Sequence, residues 1–532
     1  MYLSKSIFRR GIQCPKMLWM DKNVKEFYPD WVEPEAPEKL ETGINVGEQA
    51  RLYYSDNPAV INRNDYEKNR NAEMINKTEE LIAAGEKVIC EASFKFESNF
   101  CSVDILRVMK NGYQIVEVKS STDKEKDKKT GEVRKKTISD IDLYDMAYQY
   151  YVVTNAGYKV EKVFLMRLDS EYIFDGKIKL KKLFALDDCT KQVKALLKRM
   201  PADIIGMFAV SMLKEEPIYR VGNHCDKPQS CDYISCCWDK KDGMPHILDI
   251  GFRMTMDKKA SMKYQGYSFE DILEKSDELK LSDLQQKQVD GIVNPDPKLK
   301  YYNKDGINTF LNGLTPPIYH LDFETFQQAV PDLIGVSPYQ QIPFQYSLHY
   351  QDDIGKEIKH KGECLAKEGT DSRKEIATRL YNDLRDIGDG TILAYNMSFE
   401  RTVLLNLADW FDNPKSDEET KDMVAFFRKI ADKDAEYLKD LMDPFSAGYY
   451  YHTEMKGSVS IKYVLPAVLG YNPYDDLDLI KNGGDAMNTF PILHTKEQSE
   501  IDKYRKALIE YCVLDTKAMA WVLDALWKLV RT

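Results

Sequence analysis

No stretch of 18 or more apolar residues occurs in the 532-residue chain, so no membrane-spanning helix and no membrane partner are expected. The N-terminus, MYLSKSIFRRGIQCPK, carries basic residues but no apolar run of signal-peptide length, and the expected location is cytoplasmic. A Walker-type G-x4-G-K-[S/T] loop is missing, so the chain has no evident ATP motor of its own. Internal repeats and low-complexity tracts are also missing. The oligomeric state has no marker in the sequence.

What is present is ordinary globular composition, 43% hydrophobic and 30% charged. At roughly 150 residues per domain the length predicts about two to four domains. The net charge of −11 is unevenly placed: residues 1–310 sum to 0 and residues 311–532 to −11. An acidic half is not an obvious nucleic-acid binder by bulk electrostatics. The surplus is either a solvated surface or a set of carboxylates gathered for divalent metal. Of ten cysteines, Cys225, Cys231, Cys236 and Cys237 fall in one short segment, a pattern that in a reducing compartment suggests metal binding rather than disulfides.

The chain reads as α/β in three regions, 1–241, 242–313 and 314–532. In the first, EKVICEASFKF, CSVDILRVMK and YQIVEVKSS are strand-like, and LYDMAYQYYVV and KQVKALLKRM are helical. The segment STDKEKDKKTGEVRKKT is too polar for a core and reads as a mobile loop or helix tip. The second region is polar and helical, with an NPDPK turn, and reads as a connector. The third opens on TPPIYHLDFETF, prolines followed by a strand.

Candidate chemistry lies in three places. Asp104 falls on one strand, and Glu117 and Lys119 lie two apart on the next, hence on one face. Two carboxylates hold a hard divalent ion and the lysine sits against the attacked phosphate or the water. The competing view is a casual Glu–Lys pair on a strand face. Asp followed by E-x-K resembles the PD-(D/E)xK nuclease fold, a restriction-endonuclease-like fold, in its RecB-type branch. That resemblance implies a glutamine on the following helix, matched by Gln149. The family's tyrosine four residues further on is replaced by Val153, with Tyr150 or Tyr151 as substitutes. Glu91 reads as a strand-edge charge rather than a further acid of the site.

Cys225, Cys231 and Cys237 form C-x5-C-x5-C, with Cys14 far upstream. The set resembles the iron–sulfur clasp of RecB-type nucleases, which implies a [4Fe–4S] cluster tying the domain's first and last segments together. A four-cysteine Zn2+ site is the alternative, and Cys236 competes with Cys237 as the fourth ligand. The cluster is expected to be structural, with a redox gate as another reading.

In YHLDFETF, Asp322 and Glu324 share a strand face. ILAYNMSFERTVL reads as strand, turn at Asn396 and helix bearing Glu400. In ALIEYCVLDTKAM, Tyr511 and Asp515 are four apart on one helix face. Several carboxylates suit two metal ions roughly 3.5–4 Å apart. The set resembles the DEDD 3′–5′ exonucleases of the DnaQ-like, RNase H-like fold, in the subtype with tyrosine in its last motif. Glu400 stands where that family has aspartate, and Asp443 is a reserve acid. Ser460 and Lys462 resemble the intervening segment, with Lys462 on phosphate or solvated.

The whole order resembles a bacterial family that fuses a RecB-type nuclease and cysteine clasp, through a helical connector, to a DnaQ-like exonuclease. It implies a phosphodiester hydrolase with two active sites, using Mg2+ or Mn2+ and acting on nucleic acid, DNA ahead of RNA. Single-stranded ends in repair or defence are the expected substrate, fed by a helicase or defence-system partner. The alternatives are a nucleic-acid-binding scaffold with one degenerate site and a redox-gated RNA-processing exonuclease.

Overall fold

The computed structural model describes residues 3–23, 37–66, 70–126, 132–241, 243–295 and 300–531. The protein is mixed α/β and divides into two compact units. One comprises Met1–Lys240 with Gln328–Gln340; the other comprises Lys241–Gln327 with Gln341–Thr532.

The first unit is built on a seven-stranded sheet. Helix α1 (Lys5–Gln13) precedes strands β1 (Val88–Phe96), β2 (Asn99–Met109) and β3 (Gly112–Thr122). Helix α2 (Asp140–Asn155) then leads to β4 (Val160–Leu168) and β5 (Phe184–Asp188). β1, β2 and β3 form an antiparallel meander, β4 joins β3 in parallel, and β5 is antiparallel to β4. The parallel pair needs a crossover, and α2 supplies it. β3 is covered on both sides, so Ile115 and Val116, adjacent in sequence, are both buried in separate apolar clusters. α2 starts at Ser139, whose hydroxyl accepts from Asp142 N at 3.2 Å, with Asp140 and Asp142 in the positive first turn.

The polar segment after β3 is neither a loop nor a helix tip where it is described. Lys124–Lys126 and Val133–Lys135 pair as antiparallel strands, while residues 127–131 lie outside the described residues. Glu125 stands directly opposite Arg134, bonded at 2.9 Å, an opposite-charge cross-strand pair that favours the ladder.

In the second unit, the polar stretch from residue 241 forms helices Met256–Tyr264, Phe269–Glu274 and Asp283–Val293. Thr255, Ser268 and Ser282 cap them, the last two in reciprocal capping boxes. They bury a cluster including Ile250, Met262, Ile272 and Val289. Phe252 N donates to Gly457 O at 3.2 Å, and a Cβ on Gly251 would lie 2.0 Å from that oxygen, so only glycine permits the approach. Most of the NPDPK turn, 296–299, lies outside the described residues.

The second unit's sheet contains β6 (Ile318–Phe326), β7 (Ile342–Gln351), β8 (Lys359–Leu365), β9 (Thr391–Ala394) and β10 (Leu438–Asp440). Their order is β8-β7-β6-β9-β10, with β6 antiparallel to β7 and parallel to β9. Helix α3 (Ser398–Phe411) follows β9, and helices α4 (Ile461–Leu469) and α5 (Gln498–Arg531) come later.

One face of β6 and β7 is polar although buried. The register sets His320 opposite His349, Asp322 opposite Ser347 and Glu324 opposite Gln345. α5 satisfies the β7 groups in turn. Gln345 donates to Leu508 O at 2.9 Å, Ser347 and His349 each meet Thr516 Oγ1 at 2.8 Å, and Gln351 donates to Asp524 at 2.9 Å. Partners eight residues apart repeat about every second helical turn, so this ladder fixes how α5 lies on the sheet. Burial keeps both histidines neutral, His320 pushed down to about 4 and His349 to about 3.

Thr516→Val keeps the shape and removes the shared hydroxyl. Leaving Ser347 and His349 without that partner should cost about 1–3 kcal/mol. Urea denaturation should show the loss; an unchanged midpoint would contradict the ladder's role.

Candidate functional site

Asp322 and Glu324 project from β6, where the sheet changes from antiparallel to parallel pairing. Open α/β sheets place ligands at such switch points. α5 brings Asp515 and Tyr511 to the same place. One oxygen each of Asp322, Glu324 and Asp515 can be chosen so that all three lie within 4.8 Å of one another. They open on a cleft of about 490 Å³ whose lining includes Tyr395, Asn396, Ser460, Lys462 and Tyr511.

The electrostatics of this trio are those of crowded, poorly solvated carboxyls. Burial, then the charges of Asp515 and Glu324, raises the Asp322 carboxyl well above its usual range. Burial and Asp515 push Glu324 up to about 8. Asp515 reaches about 6 through burial, moderated by hydrogen bonds from Tyr474 and Tyr511. Like charges so close and so poorly solvated do not all ionise without a counter-cation. Burial and the Asp515 charge also raise Tyr511, so its phenol stays protonated and able to donate. Lys462 donates to Lys481 O at 3.0 Å and lies 5.6 Å from the Tyr511 ring centre.

Glu400 stands in the first turn of α3, 2% exposed. It lies outside the trio, although the Asp322 charge, after burial, raises its carboxyl. Its Oε2 has no hydrogen-bond partner among the described residues. Asp443 begins a short helix and joins neither the trio nor the cleft lining. The nearby acid with a definite task is Asp440, at the end of β10. It accepts from the backbone N–H of Asn396 and Met397, both at 3.0 Å, and of Met442 at 2.9 Å. It thereby holds the turn in which Asn396 takes φ 69°, a conformation asparagine tolerates, and from which α3 departs. Tyr474, which donates to Asp515 Oδ1, was invisible in the sequence because no spacing rule links positions so far apart.

In the first unit, Asp104, Glu117, Lys119 and Gln149 come together. Lys119 Nζ is 2.6 Å from Glu117, Gln149 donates to Glu117 at 2.7 Å, and Asp104 accepts from Val118 N at 2.7 Å. Three side chains join them that the motif reading passed over. Lys5 contacts Asp104 and Glu117. Asp145, fully buried, contacts Lys119 at 3.3 Å and Arg9 at 3.4 Å. Asp145 was legible, since it lies one helical turn before Gln149 on α2. Burial and the Glu117 charge raise Asp104 to about 7. Burial would also raise Glu117, but Lys119 and Lys5 override it and hold that carboxyl well below the usual range.

Two expectations are corrected here. Neither Tyr150 nor Tyr151 stands in for the family tyrosine: Tyr150 donates to Val160 O at 3.3 Å and Tyr151 packs edge-on against Phe96, because the apolar core claims that face of α2. Glu91 is not merely a strand-edge charge. It follows Ile89 and Cys90, where the Ala59–Val60 strand pairs with β1, pairs with Arg51 at 3.4 Å at a backbone φ of 58°, and its charge helps raise Asp104.

Cys14, Cys225, Cys231 and Cys237 line one small pocket, from which Cys236 is absent. All ten cysteines are free thiols. His224 is a neighbour the sequence reading missed, its Nε2 3.8 Å from the Cys225 sulfur. Hydrogen bonds with Cys14 and Cys225 push its imidazole up to about 10.

A family model described as a domain of unknown function (DUF2779) matches residues 319–460. The match takes in Asp322, Glu324 and Glu400 and stops before Tyr511 and Asp515. No curated protein and no solved structure matches the chain.

The raised carboxyls make stability depend on pH. Glu324, ordinarily at 4.5 and at about 8 when folded, contributes stability that is complete below the unfolded value and lost as pH rises through the folded one. The metal-free protein should therefore melt at lower temperature near about pH 9 than near about pH 6, and Glu324→Gln should flatten that slope. Calorimetry at the two pH values checks this; an equal slope in parent and variant would contradict it.

Proposed function

We propose that the chain is a metal-dependent nuclease with two phosphodiester-hydrolysing sites. One is a DnaQ-like 3′–5′ exonuclease site on an RNase H-like fold in the second unit. The other is a RecB-type PD-(D/E)xK site in the first. The observation that carries the reading is the Asp322–Glu324–Asp515 trio, Asp322 half-buried and the other two buried, on an open cleft with Tyr511 beside it.

Mg2+ or Mn2+ at the trio would supply charge neutralisation at the phosphodiester and a more acidic water. Asp322 and Glu324, on one face of β6, and Asp515, on α5, are the residues to hold it. Tyr474 and Tyr511 hold the Asp515 carboxylate, and the protonated Tyr511 phenol can orient the attacking water. Ser460 and Lys462, at the start of α4, place a helix N-terminus and an ammonium on the cleft, both favourable to a phosphate. The unpartnered Glu400 Oε2 on the Asp322 side suits a fourth acid. In the first unit Asp104 and Glu117 are the metal-holding residues, Lys119 the phosphate- or water-facing cation, and Gln149 a fixing donor.

That Cys14, Cys225, Cys231 and Cys237 line one pocket supports an iron–sulfur clasp, with a four-cysteine zinc site as the alternative. Metal analysis of anaerobically purified protein separates iron from zinc. Single-stranded DNA ends are the proposed substrate, in repair or defence. A second reading, a nucleic-acid-binding protein with an inactive first site, is favoured by one observation: Lys5, Lys119 and Arg9 already neutralise the carboxylates there.

With a 5′-labelled strand and Mn2+, Asp322→Ala should abolish 3′-end trimming, a loss of at least about a thousandfold. Lys119→Ala should leave trimming intact and impair only the other activity. Trimming by Asp322→Ala at the parent rate would overturn the assignment, and a parent that binds nucleic acid and trims 3′ ends but shows no Lys119-dependent cleavage would favour the second reading.

A further inference from the structure

The chain enters the first unit through a two-residue strand, Leu3–Ser4, paired in parallel with Asn99 and Phe100 of β2. Ser4 Oγ then caps α1, accepting from Ile7 N at 3.3 Å. Lys5 and Arg9, four apart, share a face of α1, and that face meets the carboxylates. Lys5 Nζ lies 3.4 Å from Asp104 Oδ1 and 3.2 and 3.1 Å from the two Glu117 oxygens. Arg9 lies 3.4 Å from Asp145.

The other end of α1 is anchored. Arg10 bonds Asp21 at 3.0 and 2.7 Å and Asp232 at 2.8 Å. Gln13 donates to the carbonyls of His224 at 2.9 Å and Gln229 at 2.7 Å. Lys5 is thus delivered by a fixed helix, with 25% of its side chain exposed.

An ammonium touching both oxygens of one carboxylate and one oxygen of a second sits where a cation shared by the two would sit. Asp104, Glu117, Asp142 and Asp145 face Lys5, Lys119 and Arg9, four acids against three cations, so most of the site's charge is offset without metal. Among the described residues no three of its carboxylates bring oxygens within 4.8 Å of one another, as the second unit's trio does. The interposed cations remove the need for that gathering.

We propose that Lys5 is a tethered cation occupying the metal position of the first unit's site, so that a divalent ion binds there only by displacing it. The inference rests on reading Asp104 and Glu117 as metal-holding residues. An ammonium and a divalent ion placed in the same gap between Asp104 and Glu117 compete for one volume and repel each other, and the flexible lysine stem with its partial exposure gives the ammonium a way out. Metal occupancy of this site is then set by competition with a residue of the chain itself, and Lys5 becomes available to the phosphate once the ion is in.

The test silences the other site with Asp322→Asn and Asp515→Asn in the full-length protein, then follows Mn2+ binding by electron paramagnetic resonance. Lys5→Met, which keeps the aliphatic stem, and Lys5→Gln should each tighten Mn2+ binding by about tenfold or more, since a competing unit charge is removed. Lys5→Arg should bind as the parent does, and Glu117→Gln should lose the ion. Binding by the neutral variants where the parent shows none would also support the proposal. Glu117-dependent binding that is unchanged or weaker in both neutral variants overturns it while leaving the site reading intact. No binding by parent or variants overturns both.

Discussion

Three carboxyl groups from two elements, Glu324 and Asp515 buried and Asp322 half-buried, meet on the cleft of the second unit, and their mutual repulsion is the constraint around which that unit is arranged. Nothing in β6 alone would hold Asp515 against Asp322 and Glu324. The polar ladder on β7 does so, because Gln345, Ser347 and His349 find these partners on α5 only when the helix lies in one position, and Gln351 adds a bond to Asp524. Buried polar groups add little net stability when satisfied but cost much when they are not. The ladder therefore acts mainly by excluding other placements of the helix, and the acid trio depends on it.

The first unit manages the same electrostatic problem differently. Its buried carboxylates are separated by lysine and arginine side chains, two of them delivered by α1. One arrangement crowds carboxyls that burial keeps from all ionising; the other carries its own cations. That contrast is visible in the protonation equilibria. Asp322, Glu324 and Glu400 are all raised, whereas in the first unit Glu117 alone is held low, with Asp104 raised to about 7 and Asp145 raised as well.

Features governed by local periodicity were legible in the sequence. The face shared by Asp322 and Glu324, the helix turn shared by Tyr511 and Asp515, the strand–turn–helix around Asn396, and the pairing of Glu117 with Lys119 follow from periods of two and 3.6. So did the convergence of Cys14, Cys225, Cys231 and Cys237 on one pocket, through family resemblance. What was not legible is long-range. Tyr474 reaches Asp515, and Lys5 reaches Glu117, across separations that carry no spacing signal. Tyr150 and Tyr151 misled because a tyrosine's proximity in sequence to Gln149 says nothing about which side of α2 the core takes. The 121–137 segment misled because a solvated two-stranded ladder needs charge pairing rather than apolar alternation.

The central claim is that Asp322, Glu324 and Asp515 form a divalent-cation site. Anomalous X-ray scattering from crystals grown with Mn2+ tests it most directly. The account predicts a manganese peak within about 2.3 Å of carboxylate oxygens of Asp322 and Asp515, with Glu324 drawn towards the same centre. Fully ordered side chains with no manganese between them, at a concentration that occupies other sites in the same crystal, would contradict it.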